Sequence, residues 1–348
     1  MLVIEKVAAW TGHGIKKIGG PSIVLFAIAG GLGILVMSML LSLSYGIVQV
    51  PFTAVWDALV DFNPDSIQHL IIRDLRLPRT LASILVGASL AVAGAVMQGI
   101  TRNPMADSGL MGLNAGAGFA LSLCFTFFPG IAAVYIMLSS FLGAAIAAGM
   151  VYWIASLQCG GATSMRLVLA GAAVSALLTA LGQGIAIYFG VARDIMFWLT
   201  GGVAGVTWQQ LHFLYPWVGM ALLLALLLSR SVSLLSLGSE VSQGLGLRIR
   251  FVNLLAVIVI LILAGVSVAV AGPIGFVGLI IPHMSRYLFG VDYRVIIPSS
   301  AILGSLLLVL ADLGARTINQ DFETPIGALT ALIGVPFFLY LARQRRAI

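Results

Sequence analysis

The chain has 348 residues, of which 60% are hydrophobic and only 9% charged, with a mean hydropathy of +1.10. Soluble domains carry about 25% charge, so a soluble globular fold is excluded and a polytopic membrane protein is implied. The net charge of +6 does not indicate nucleic-acid binding, because the basic residues are scattered through short loops rather than gathered on one face.

Lys6, Lys16 and Lys17 lie in an N-terminal segment ahead of an apolar run too long for the h-region of a cleavable signal. That run is the first of ten expected spans, at about 22–45, 78–100, 109–128, 131–156, 166–189, 209–229, 251–271, 274–290, 295–314 and 325–342. Gly272-Pro273 is all that separates the seventh from the eighth. With both termini inside, 13 basic residues face the cytoplasm and 5 face outside, the bias that positive-inside topology requires. Cys124 and Cys159 fall in or beside apolar runs, which points to neither a disulfide framework nor a metal site.

The first outside loop, residues 46–77, carries Asp57, Asp61, Asp65 and Asp74, and its stretch Phe52–Val60 has the amphipathic pattern of a surface helix. The second span opens with Arg76-Leu77-Pro78-Arg79. Pro78 suits the first turn of a helix, where its missing N–H has no partner to lose. Along the uncharged run Thr80–Thr101, Gly87, Ala91, Gly94 and Ala95 recur at spacings of three and four, which lets another helix approach the backbone. Arg102-Asn103-Pro104 ends the span. Residues 190–208 are too short and too polar at their ends to cross, and Asp194–Thr200 is expected as a short helix at the outer mouth, stopped by Gly201-Gly202.

In the cytoplasmic loop Arg230–Arg250, Leu237–Gly246 reads as a helix of one to two turns. Ser239 can cap it, Glu240 suits its positive end, and Gly244 and Gly246 stop it. Such a helix either enters a groove on a partner or lies on the membrane surface as a connector. Gly272, Gly275 and Gly278 then make a flat face, while Pro273 and Pro282 interrupt the hydrogen bonding. His283 has no second histidine or carboxylate at ligand spacing, so it is expected as a helix-end residue beside Arg286. Glu323–Gly327 forms an outer turn before the last span. Leu85–Gly94 and Leu263–Gly272 agree at seven of ten positions. The copies lie on spans two and seven and so run in opposite directions, the inverted repeat common in transporters.

Five stretches in order resemble the FecCD-type permeases, the membrane subunits of ABC importers for ferric siderophores, haem and vitamin B12. They are Arg76–Arg79, the Gly87–Gly118 block, Leu237–Glu240, Gly272–His283 and Glu323–Thr330. The resemblance runs from about Ser42 to Leu341. It implies an all-α type II ABC importer permease fold with an inverted repeat, forming one transmembrane domain over residues 1–348. Residues 1–21 would be a cytoplasmic segment and residues 230–250 a coupling loop. The implied partners are a second permease subunit (homodimer or heterodimer), two cytoplasmic ATPase subunits and an extracytoplasmic substrate-binding lipoprotein, in a bacterial cytoplasmic membrane with both termini inside.

The same resemblance gives Ser239, Glu240, Ser242, Gly244 and Gly246 to ATPase coupling. On the implied dimer, Asn103, Pro104, Met105, Thr163 and Ser164 fall where a central path would end, and are expected to narrow its cytoplasmic exit. Arg76, Arg79 and Arg316 match positions at which the family's arginines meet glutamates on the binding protein. They lie beside motif turns, where a solvated charge has no packing reason to be; the alternative is that they anchor helix ends to lipid headgroups. Two departures stand out: Met105 and Ser108 replace Leu and Pro of the usual NPLADP, and Ser242 replaces a usual Ala.

No lysine sits in a phosphate-binding G-x-x-x-x-G-K-[ST] loop, so ATP and Mg belong to a partner and this chain is expected to bind no cofactor and no metal. No nucleophile, base and orienting group recur at usable spacing, so it is not expected to be an enzyme. An ion-coupled secondary transporter is the rival class. Such proteins keep ionisable residues inside their spans, and Asp312 is the one convincing candidate. Among cargoes an iron chelate, a ferric siderophore including the hydroxamate type, ranks ahead of haem and vitamin B12.

Overall fold

The computed structural model describes residues 21–46, 48–157, 164–200, 202–318 and 323–345, all helix, turn or loop with no strand among them. The α-helices are α1 (Pro21–Ser44), α2 (Phe52–Val60), α3 (Leu77–Thr101), α4 (Leu113–Phe127), α5 (Ala133–Ser156), α6 (Ser164–Tyr188), α7 (Ala192–Thr200), α8 (Trp208–Ser236), α9 (Ser239–Gly244), α10 (Ile249–Ala271), α11 (Val277–Phe289), α12 (Tyr293–Thr317) and α13 (Ile326–Arg345). A helical turn Ile67–Leu70 and a π-helical turn Ile71–Arg76 run directly into α3, and a 3₁₀ turn Ser108–Met111 precedes α4.

Among the described residues, seven helices are long and apolar enough to cross a bilayer: α1, α3 with the turns ahead of it, α5, α6, α8, α10 and α12. Helix α4, with 15 residues, is shorter, and α13 adds the apolar stretch Ile326–Leu339. At about 1.5 Å per residue, α11 covers roughly 20 Å of a hydrocarbon core about 30 Å thick. The eighth expected span is therefore a half-helix. Gly272 ends α10 with φ +68° and Phe276 enters α11 with φ +69°, so the chain reverses inside the bundle.

The bundle is built around α3. Buried residues make up 83% of the apolar window of α3, against 6% for α1, which runs along the periphery. The small-residue pattern explains why α3 can sit at the centre. A Cβ on Gly87 would collide with the Gly304 carbonyl of α12, and a Cβ on Gly94 with the Gly278 carbonyl of α11. Backbones meet there with nothing between them, a mode of helix contact suited to lipid. Ser305 Oγ also donates to the Ile84 carbonyl at 2.8 Å, and Ser42 and Thr80 share a buried hydroxyl contact at 2.9 Å.

The two copies of the repeat lie on α3 and α10. Trp208 Nε1, at the start of α8, donates to the Arg73 carbonyl, whereas Ser233 near the end of α8 contacts Asp292. The short α9 then leads into α10, so α10 runs back toward the end where α3 begins, antiparallel to it. Ser89 and Ser267 occupy equivalent places, and each donates to the carbonyl four residues earlier.

Candidate functional site

The end of the bundle where α3 begins gathers Arg76, Arg79, Asp312, Arg316 and Glu323. The three arginines are each only 6% exposed, which corrects the expectation of solvated charges without a packing role. Arg79 Nε donates to Asp312 Oδ1 at 2.8 Å and its Nη1 to Glu323 Oε1 at 2.7 Å. Arg316 Nη2 lies 3.1 Å from Asp312 Oδ2, without the alignment of a hydrogen bond, and donates to Ser42 Oγ at 2.6 Å. Arg76 donates to the carbonyls of Leu43, Ser44 and Val48. The network joins the end of α1, the start of α3, the end of α12 and the turn before α13. Two of the guanidinium groups, Arg79 and Arg316, meet carboxylates, and Glu323 is the exposed member, with 37% of its side chain accessible.

Asp312 is fully buried between Arg79 and Arg316. A carboxylate held by two guanidinium groups is neutralised where it sits, which leaves it poorly suited to carry a coupling ion.

At the opposite end, Arg102 terminates α3 with φ +50°, and Asn103 folds the next turn by accepting the Met105 N–H on Oδ1 at 3.0 Å. Asn103, Pro104 and Met105 are half-buried. A cavity of about 10 Å³ beside Asn103 is lined by Met97, Thr101 and Met111 and by Leu167 and Val168 of α6. The structure thus brings the end of α3 against the first turns of α6. Thr163 lies outside the described residues, and Ser164 begins α6.

The short α9 forms where the sequence places it, but Gly238 (φ +122°), not Ser239, is its N-cap. Gly can adopt that backbone without strain. Ser242 is buried and its hydroxyl donates to the Leu234 and Gly238 carbonyls, tying α9 to the end of α8. Glu240 is exposed, and so are Leu237 (44%), Val241 (41%) and Leu245 (62%) at four-residue spacing. Gly244 is the last helical residue with open space around it, and Gly246 turns the chain with φ +80°.

Between the two ends, Asp107 packs Oδ1 against Gly278 in the first turn of α11. It borders a polar cavity of about 30 Å³ together with Ser108 and Asn114. A carboxylate at a helix N-terminus is favoured by the helix dipole. Lower down, Gln98 bridges Arg286 and the Gly278 carbonyl, and His283 packs edge-on against Phe337 of α13.

The profile of the FecCD transport family matches residues 34–344. The chain belongs to the FecCD transport family. Its relatives include the iron(3+)-hydroxamate import system permease protein FhuB of Bacillus subtilis, 50% identical over 94% of this chain and 84% of that one. The iron-uptake system permease protein FeuB of the same organism is 39% identical over 89% and 92%. Among solved structures, an inward-facing metal-chelate type ABC transporter superposes with a TM-score of 0.80 at 31% identity, covering 91% of this chain and 99% of that one.

Against the usual FecCD motif, Ser108 in place of Pro is buried and opens the 3₁₀ turn before α4. Three residues of this arrangement were missed from sequence: Asp107, Gln98 and Glu323. Gln98 was legible as the one amide inside an otherwise apolar or small-residue span. Asp107 sits in what the sequence presents as the loop after Arg102-Asn103-Pro104, since the depth of α11 is not encoded locally. Glu323 was noticed only as part of a turn, because nothing near it in the chain names Arg79 as its partner.

Proposed function

We propose that this chain is the membrane-spanning subunit of an ATP-driven importer that carries a ferric hydroxamate chelate into the cytoplasm. The likeness to the iron(3+)-hydroxamate permease over nearly the whole chain carries the choice of cargo. In this reading the network end faces outside, both termini are cytoplasmic, and the membrane is the bacterial cytoplasmic membrane. Two copies, or this chain and a sister permease, enclose the path, with Asn103–Met105 and the Thr163–Ser164 segment narrowing its exit. ATP and Mg are held by separate ATPase subunits that grip α9 and the exposed Leu237, Val241 and Leu245 in and around it.

Docking of an extracytoplasmic binding protein at Arg76, Arg79 and Arg316 then requires an exchange. A partner carboxylate takes the place of Glu323 on Arg79, because the arginines are already engaged within the chain. Exposed pairs steer and orient association more than they tighten it.

The deciding experiment is uptake by proteoliposomes holding the assembled transporter, with labelled ferric hydroxamate, haem and cobalamin offered in turn. ATP-dependent accumulation of the hydroxamate alone is expected. Accumulation driven by an ion gradient without ATP would replace the reading with a secondary transporter, and preference for haem or cobalamin would replace the cargo. Gly244→Trp, placed in open space, should leave the permease folded while abolishing ATPase association and uptake.

A further inference from the structure

The nine-residue α2 carries more exposed apolar surface than a solvated surface helix needs. Its buried side, Val55 and Ala58 at 1% and 3% exposure, packs with Leu43 of α1 and Ile72 of the π-turn. A second apolar arc faces away from the protein: Phe52 is 50% exposed, Trp56 66%, Leu59 45% and Val60 69%. At 3.6 residues per turn these four share one side of the helix, while Thr53 and Asp57 project from the other edge. Such a helix has three sides, one toward the protein, one apolar and one polar.

Its depth is set by what it packs against. Leu43 and Met39 belong to the last turns of α1, a 24-residue span whose apolar window is only 6% buried. The helix therefore lies level with the point where a lipid-facing span leaves the hydrocarbon. Tryptophan at this depth is typical of membrane–water boundaries.

We infer that α2 is a membrane-interface helix. Phe52, Trp56, Leu59 and Val60 enter the boundary between headgroups and acyl chains of the leaflet at the network end, and Asp57 stays in water. The occupant of the apolar arc is lipid, because that arc continues the lipid-facing surface of α1. Interfacial helices of this kind bury their apolar side about 5–10 Å into the boundary. The inference rests on the chain spanning a membrane and does not depend on the cargo.

The test places single spin labels at positions 52, 53, 56, 57 and 60 of the full chain in its assembled transporter, on a background without Cys124 and Cys159, in phosphatidylcholine–phosphatidylglycerol liposomes. Collision rates with oxygen and with an aqueous nickel chelate are compared. Labels at 52, 56 and 60 should favour oxygen several-fold over nickel, and labels at 53 and 57 the reverse. A second readout avoids labelling: brominated lipids should quench wild-type fluorescence more than that of Trp56→Tyr. Nickel access at all five positions, or protection that arises only when a soluble extracytoplasmic protein is added, would overturn the assignment; the second outcome would make α2 a protein-docking face.

Discussion

Helix α12 carries an arginine–aspartate pair at each end, and the two pairs share little beyond their chemistry. At its start, Asp292 and Arg294 are 41% and 65% exposed and meet at 2.9 Å. At its end, Asp312 has no exposed side-chain surface and lies between Arg79 and Arg316. The exposed pair closes a local turn two residues apart, whereas the buried group joins segments separated by 233 residues. Similar contact distances thus carry different weight. Water replaces either partner of the first pair at little cost, but nothing replaces a partner of the second.

The sharpest way to break this comparison is Asp312→Ala. It leaves Arg316 without a carboxylate and Arg79 with only the half-exposed Glu323. Removing one partner of a buried ion pair costs about 3–5 kcal/mol. The purified permease should therefore show a large drop in thermal midpoint and poor recovery from membranes. Asp312→Asn, which keeps the shape and loses the charge, should recover only part of that loss. An Asp312→Ala midpoint equal to the wild type would mean that the arginines reach water at this end, and the contrast between the two ends would vanish.

A middle case tests whether exposure grades the effect. Glu323→Gln removes the accessible carboxylate from Arg79 while Asp312 remains. For a pair with one solvated partner the expected cost is about 1 kcal/mol or less. The functional consequence runs the other way. If Glu323 holds Arg79 until a partner carboxylate arrives, its loss should raise the affinity of the extracytoplasmic binding protein and steepen the salt dependence. Equal or weaker binding in Glu323→Gln would remove the exchange while leaving the buried network intact.

These two ends also mark what could be seen in the sequence. The spans were legible because an apolar run of membrane length has few alternative fates, and the glycines of α3 announced close contacts that Gly304 and Gly278 complete. Helices α2, α7 and α9 were legible from their local patterns. The burial of Arg76, Arg79 and Arg316 was not. A charged residue at the end of an apolar run reads as solvated unless its partner is known, and Asp312 and Ser42 approach only after the chain has folded. Gly272-Pro273 signalled an interruption but not that α11 would begin inside the bundle. The cap of α9 went to Gly238 because a positive φ was needed there, a demand visible only in three dimensions.

The smallest expected effect belongs to the exposed end, and it separates capping from ion pairing. Asp292 caps α12 by accepting the Arg294 backbone N–H at 3.0 Å, and its Oδ1 also receives the Ser233 hydroxyl at 3.2 Å. Asp292→Ala should cost about 1 kcal/mol, the usual worth of an N-cap, and Arg294→Ala should leave the thermal midpoint within experimental scatter. Partial burial pushes the Asp292 carboxyl up, but hydrogen bonds from the Arg294 side chain and backbone outweigh it and hold the group below its ordinary value. A lowered folded-state value means that the contribution is complete above the unfolded carboxylate range, near about pH 3.9. It is lost only as pH falls through the lowered value. The Asp292→Ala deficit should accordingly be the same at pH 7 and pH 5, measured as the difference in thermal midpoint from wild type. A deficit that shrinks between those values would mean that the carboxyl takes up a proton at ordinary acidity and is not held by the helix end. A deficit shared equally by Arg294→Ala would move the stabilisation from the cap to the ion pair, and the exposed end of α12 would then work by the same means as the buried one.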